Sequence, residues 1–358
     1  MRANIARATA LLAVLWLLAA GSAAAQSPAV NATEADYARE QQKQRIEQPL
    51  NNEPVWKEIR SGEPQFTSIP GRETNVLIEP RGQTWRALRS PMVGLGGLML
   101  AVAIGGLAVF YMWRGTMDYE SARNERYIRR FSPLDRYAHW LLAIVWVLLA
   151  ITGLILSIGK TVLLPLVGYN IFSILAAVSK NLHNFIGPVL IVAIPLMFVR
   201  FVRDNGLGME DVRWFTNILG YFKGHEYPSG KFNAGEKLVF WGVLVVLSTV
   251  LVVSGLVLVF PNFNQTRATM QTANVVHMAA AYVAMALACV HIYLGTIGMT
   301  GAYRAMRDGY VDESWARHHH LRWYEDVVAG RAREPFVDPA EVPLREREVH
   351  VRAARRPA

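Results

Sequence analysis

Residues Ala273 to Gly298 read ANVVHMAAAYVAMALACVHIYLGTIG, and this run decides the fold. It is almost free of charge and long enough to cross a bilayer as one helix, yet it carries His277 and His291. The two histidines are fourteen positions apart. At about 100° and 1.5 Å per residue they fall within roughly 40° of each other on one helix face, about 21 Å apart along the axis. An ionisable side chain inside a span needs a partner there, because hydrocarbon makes it expensive. Two on one face, a membrane apart, read as ligands of two metal centres stacked across the bilayer. The alternative is a pair of histidines that simply hydrogen-bond within a helix bundle.

Working outward, the composition agrees with a membrane chain. Of 358 residues, 52% are hydrophobic and only 18% charged, outside the range of soluble globular domains. The net charge of +9 does not indicate nucleic acid, because the basic residues cluster beside apolar runs, where they orient spans. Cys289 is the single cysteine, in the fifth apolar run, where it reads as packing. One cysteine excludes an intramolecular disulfide and a zinc or iron–sulfur site held by this chain alone, so a redox metal would have to be held by histidine.

Residues 1–26 read as a signal peptide: Arg2 and Arg7, then the apolar Leu11–Ala20, then Ala23-Ala24-Ala25 before Gln26. Residues 27–90 are polar and proline-interrupted, with one short helix expected at Ala35–Ile46. Five apolar spans come next, at 92–113, 138–158, 182–203, 237–260 and 273–298. The stretch Thr161–Val178 is apolar too, but Pro165, Gly168 and Asn170 interrupt it and counting it would invert every later loop. It is therefore expected to be interfacial or re-entrant. Basic residues concentrate in the 114–136 loop, in the 204–236 loop (Arg213, Lys223 and Lys231, with Arg200 and Arg203 at its edge) and after residue 300, which places these in the cytoplasm, although Arg81, Arg86 and Arg89 pull the other way.

That topology sets the depth of each histidine. His183 and His277 begin their spans from the outer side, whereas His139 and His291 lie near the cytoplasmic surface. Depth thus pairs His183 with His277 and His139 with His291. Two facing imidazoles at each level are what a six-coordinate haem iron needs, with no open site and electron transfer as the task. Gly153, Gly187, Gly255 and Ala279–Ala281 leave room for a flat macrocycle or for ordinary close helix packing. The expected fold is an all-α integral membrane bundle, a four-helix di-haem cytochrome b core plus one additional N-terminal transmembrane helix. Its expected parts are 1–26 signal peptide, 27–90 periplasmic polar region, 91–113 additional helix, 114–300 di-haem domain and 301–358 cytoplasmic basic tail.

Several stretches also resemble one family. FSPLDRYAHW (131–140), LHNFIG (182–187), VRFV (199–202), KFNAGEK (231–237), VHMAA (276–280), HIY (291–293) and WARHHHLRWY (315–324) look like the cytochrome b (gamma) subunit of respiratory formate dehydrogenase. The likeness runs from about Tyr119 to Asp326. It implies His139, His183, His277 and His291 as ligands of two haem b irons in the same pairing. It further implies a bacterial inner-membrane subunit fed by an iron–sulfur (beta) subunit and, through it, a molybdenum or tungsten catalytic (alpha) subunit. Residues 1–118 depart from the compact members of that family.

The KFNAGEK loop sits at the depth of the inner pair. An Asn amide and an exposed Gly backbone can hydrogen-bond a quinone carbonyl without adding charge, while helix N-capping by Asn233 is the simpler reading of the spacing. The resemblance assigns Asn233 and Gly235 to ubiquinone or menaquinone. Glu236 and His225 read as solvated loop residues, with proton relay as the sharper alternative. His318-His319-His320 reads as a headgroup or partner contact rather than a metal site. The expected function is a membrane conduit that takes electrons from a periplasmic subunit and reduces quinone near the cytoplasm. The nearest alternative is the cytochrome b subunit of a nickel–iron hydrogenase or thiosulfate reductase, and a transporter or proton channel would carry no haem.

Overall fold

The computed structural model describes residues 78–119, 126–218, 227–263 and 265–338, with the single residues 43, 47, 220 and 342. The signal peptide, most of the polar region with its expected short helix, His225 and the end of the basic tail lie outside the described residues. The chain divides into two compact units. The first ends at Pro91, inside the helix α1 (Ile78–Arg114), and the second, from Met92 onward, holds the rest of α1 and every element after it.

Five helical paths are long and apolar enough to cross a membrane: Trp85–Arg114, Pro133–Val162, Leu164–Asp204, Ala234–Val259 and Arg267–Gly298. The protein is an all-α, multi-pass membrane bundle. Helix α2 (Pro133–Val162) starts where local chemistry demands. Ser132 and Asp135 cap each other's backbone N–H groups, and Pro133 occupies the first turn, where its missing N–H costs nothing. Arg200 holds Asp135 at 2.7 Å and so fixes the end of α2 against the third path.

The third path departs from the sequence expectation. Residues 164 onward are helical, and only Leu163 separates α2 from α3 (Leu164–Ile186). Pro165 sits in the first helical turn, where proline is tolerated, and Gly168 absorbs the bend at φ 74°, so neither ends the helix. A 3₁₀ turn at Gly187–Val189 leads into α4 (Leu190–Phe201). The path thus runs back along α2 from its very start: Phe172 lies beside Gly159, His183 beside Thr152 and Arg200 beside Asp135. At 1.5 Å per residue, its 41 residues measure about 60 Å, twice a hydrocarbon core of about 30 Å.

After the short α5 (Met209–Thr216), the fourth path joins α6 (Ala234–Leu238), a π-helical stretch at Val239–Leu247 and α7 (Ser248–Val259). Helix α8 (Arg267–Tyr293) is capped by Thr266, whose hydroxyl accepts from the Thr269 N–H. The first path lies close to α8, where Gly96 leaves space for the ring of Tyr282. A Cβ at Gly96 would fall 2.3 Å from that ring. Around this contact Leu100, Met278, Tyr282 and Met285 form a small apolar core.

At the bundle end that holds Ser132, the loops and the segment after residue 300 fold together. Helices α9 (Ala302–Arg307), α10 (Glu313–His319) and α11 (Leu321–Val328) are joined by a small sheet. In it Tyr127–Arg129 lies between Tyr310–Asp312 and Phe336–Val337, both antiparallel to it. Ile128, Phe131, Phe201, Trp214, Phe232, Trp315 and Trp323 fill this cap. Residues 302–337, expected as a basic tail, therefore carry half of a folded cap.

Candidate haem and quinone sites

The far level is built from two hairpins that use the same device. On α2, Thr152 precedes Gly153 and faces His183 of α3; on α7, Ser254 precedes Gly255 and faces His277 of α8. The Thr152 hydroxyl donates its one hydrogen to the Leu148 carbonyl at 2.8 Å, and Ser254 donates to the Val250 carbonyl at 2.6 Å. Each oxygen can then only accept from the imidazole beside it, at 2.9 Å from His183 Nδ1 and 3.0 Å from His277 Nδ1. Both rings are thereby fixed as the Nδ1–H tautomer, leaving each Nε2 as a free lone pair. A Cβ on Gly153 or Gly255 would lie 3.3 Å from the Cε1 of its histidine, so glycine is what lets the rings come this close to the helices.

The centroids of His183 and His277 are 6.1 Å apart, with planes at 75°. At the near level, His139 of α2 and His291 of α8 are 6.3 Å apart, with planes at 54°. With a metal–nitrogen bond of about 2 Å and a ring radius of about 1.1 Å, two imidazoles on opposite sides of one metal ion sit about 6 Å apart. Both pairs fit that separation. Among the described residues no three histidine, cysteine, aspartate or glutamate side chains come together. Each level thus brings two imidazoles to that separation with no third such side chain among the described residues, a set that suits a macrocycle supplying the other four donors. The near pair is held differently: His139 Nδ1 is buried without a hydrogen-bond partner. Trp140, edge-on to the His139 ring, ties α2 to α9 by donating to the Met306 carbonyl at 3.1 Å.

Asn233 and Gly235 open the fourth path, in the cap. The Asn233 carboxamide oxygen accepts from the Glu236 N–H at 3.0 Å, and the Glu236 carboxylate accepts from the Asn233 N–H at 2.8 Å. Capping, the reading the spacing favours, therefore occupies the carboxamide oxygen and leaves the carboxamide nitrogen out of the cap. Gly235 is packed under Trp214, whose Cη2 would be 3.4 Å from an added Cβ.

Two expectations fail in the cap. Glu236 is not a solvated loop residue. Its carboxylate is 3.1 Å from the guanidinium of Arg130, which is 4% exposed and lies within 6 Å of the rings of Phe131, Phe232, Trp315 and Trp323. Nor are His319 and His320 surface contacts: both are buried, because the aromatic packing of α10 and α11 draws them inward, and only His318 is exposed. His320 donates from Nδ1 to the Gly230 carbonyl at 2.8 Å, so its Nε2 accepts from Arg130 at 3.2 Å. Burial, followed by the charge of Arg130, pushes this imidazole down to about 3, and it is neutral at physiological pH.

The sequence reading missed Thr152, Ser254, Arg130 and His320. The first two had a visible signal, a hydroxyl residue before glycine in each of two spans that face a histidine-bearing helix.

Comparison with known proteins gives a consistent picture. A family model described as prokaryotic cytochrome b561 matches residues 130–309. The nitrate-inducible formate dehydrogenase cytochrome b556(Fdn) subunit of Escherichia coli K12 is 30% identical over 218 residues, covering 58% of this chain and 94% of that protein. The cytochrome b556(fdo) subunit of formate dehydrogenase from the same strain is 30% identical over 204 residues, covering 56% and 93%. The formate dehydrogenase cytochrome b556 subunit of Haemophilus influenzae is 26% identical, covering 61% and 91%.

Proposed function

The chain belongs to the prokaryotic cytochrome b561 family, and from that membership we propose that it is the membrane-anchoring di-haem cytochrome b subunit of a formate dehydrogenase. The observation that carries the reading is the pair of imidazoles at each of two levels, with centroids 6.1 and 6.3 Å apart. The names of the relatives support the formate dehydrogenase assignment. His183 and His277 would hold one haem b, and His139 and His291 the other. When bound, the haems supply reversible one-electron transfer, so that electrons delivered at the far level by a periplasmic iron–sulfur subunit leave at the near level. Formate oxidation belongs to a separate molybdenum or tungsten subunit.

The chain's own residues do the rest. Thr152 and Ser254 hold the proton on the Nδ1 of their histidines and present Nε2 to the metal. The apolar faces of the spans exclude water. Near the second level, Asn233 can donate from its carboxamide nitrogen to a quinone carbonyl, and Gly235 keeps the approach narrow and uncharged. Quinone takes up two electrons and two protons to become quinol, with the protons drawn from the cytoplasmic side. In this arrangement positive charge is consumed inside while electrons move inward, and membrane potential builds.

The deciding experiment is a dithionite-reduced minus oxidised spectrum of the purified chain with haem quantified per polypeptide. Two b-type haems per chain are expected, and His183→Ala or His277→Ala should each leave one. A colourless protein would sink the reading, and two retained bis-histidine haems in His183→Ala would sink the pairing.

A further inference from the structure

The two levels are built alike in their metal-facing nitrogens and differently behind them. Both rings of the far pair give their Nδ1–H to a hydroxyl that is itself anchored to a backbone carbonyl, Thr152 to Leu148 and Ser254 to Val250. In the near pair, His139 Nδ1 is buried with no hydrogen-bond partner among the described residues, and the His291 ring has the Glu236 carboxylate as its charged neighbour rather than a hydroxyl behind it. A hydrogen bond accepted from the back of an imidazole increases the electron density at its metal-binding nitrogen. Oxidised haem iron carries one more positive charge than reduced iron, so it gains more from the stronger donor, and second-sphere hydrogen bonding is one of the levers that sets haem potential.

We propose that Thr152 and Ser254 are positioning residues that lower the midpoint potential of the His183/His277 haem below that of the His139/His291 haem. This rests on the di-haem reading above. The consequence is directional. With haem held at both levels, transfer of one electron from the far iron to the near iron, with no proton moved between them, would run downhill toward the Asn233 loop. Two alternative roles are poorer accounts of the arrangement. Packing alone would not need a hydroxyl at both places, and a structural hydroxyl satisfied by its own helix carbonyl would not need an imidazole at 2.9 or 3.0 Å.

The test uses the full chain in its membrane complex, with potentiometric titration of the haem bands. Thr152→Val and Ser254→Ala remove the hydroxyl acceptor and leave only the Leu149 and Leu251 carbonyls behind the rings. Each should retain two haems and raise the midpoint of the lower-potential haem, with the shifts adding in the double variant and the other haem unmoved. Thr152→Ser and Ser254→Thr keep a hydroxyl and should titrate like the parent. Haem retained with both midpoints unchanged, or a shift confined to the other haem, would overturn the proposal. Where Val or Ala costs the chain its haem, the hydroxyl-keeping variants decide. Haem held at the parental potential supports positioning by the hydroxyl, whereas loss in these variants as well makes the sites mere packing. A parent chain that binds fewer than two haems would instead defeat the di-haem reading itself, and haem quantification shows that before any variant is made.

Discussion

At the scale of single residues, the ligand histidines could be read from sequence because an imidazole inside an apolar run has few inexpensive fates. Thr152 and Ser254 could not, because hydroxyls in spans routinely bond back to their own helix, and only the facing histidine gives them meaning. Asn233 carries two readings at once, cap and quinone donor, and the structure divides them between the two ends of its carboxamide. Substitution can separate them. Asn233→Ala should lose the cap, costing about 1 kcal/mol, and should also slow quinone reduction. Asn233→Asp keeps the capping oxygen and lacks the amide donor, so it should hold parental thermal stability and still reduce quinone slowly while both haems remain reducible. An Asp variant that turns over quinone at the parental rate would leave Asn233 as a cap and nothing more.

At the scale of elements, four of the five spans were legible from length and apolarity, and the third was legible only in part. Pro165, Gly168 and Asn170 read as breakers, but the proline falls in a first turn and the glycine takes up a bend, so the helix continues through both. The cap was not legible. Its arginine-rich segments read as topology-setting charge and a basic tail, whereas Arg130 is sunk among four aromatic rings with Glu236 and His320. Burying a neutral His320 makes the cap sensitive to acid. Its pKa falls from an ordinary 6.5 to about 3 on folding, so the unfolded segment binds more protons between those values. The stability from keeping it neutral is complete above about pH 6.5 and is lost as the pH falls from there toward 3, by up to about 1.4 kcal/mol per unit. Hydrogen-exchange protection factors in residues 310–328, corrected for the intrinsic pH dependence of exchange, should therefore fall on acidification, and fall less in His320→Gln. Identical pH slopes in the two proteins would clear His320 of that role.

For the whole molecule, the family match begins at residue 130, and the first span, which precedes it, is seated on α8 through Gly96 and Tyr282. The proposed topology, argued from the charge bias of the loops, puts the cap end in the cytoplasm. Reporter fusions after Asp118 and after Asn262 should accordingly report the cytoplasm and the periplasm. The opposite pattern would reverse the direction of electron flow while leaving the histidine pairs as they are. The far face also constrains biogenesis. Leu163 alone joins helices of 30 and 23 residues, so no polar loop exists there to be carried across a membrane. The two must leave the insertion machinery as a preformed hairpin. Any protein approaching that face then meets, from this hairpin, a tight elbow with Lys160, Thr161, Leu166 and Tyr169 exposed, and no loop to grip.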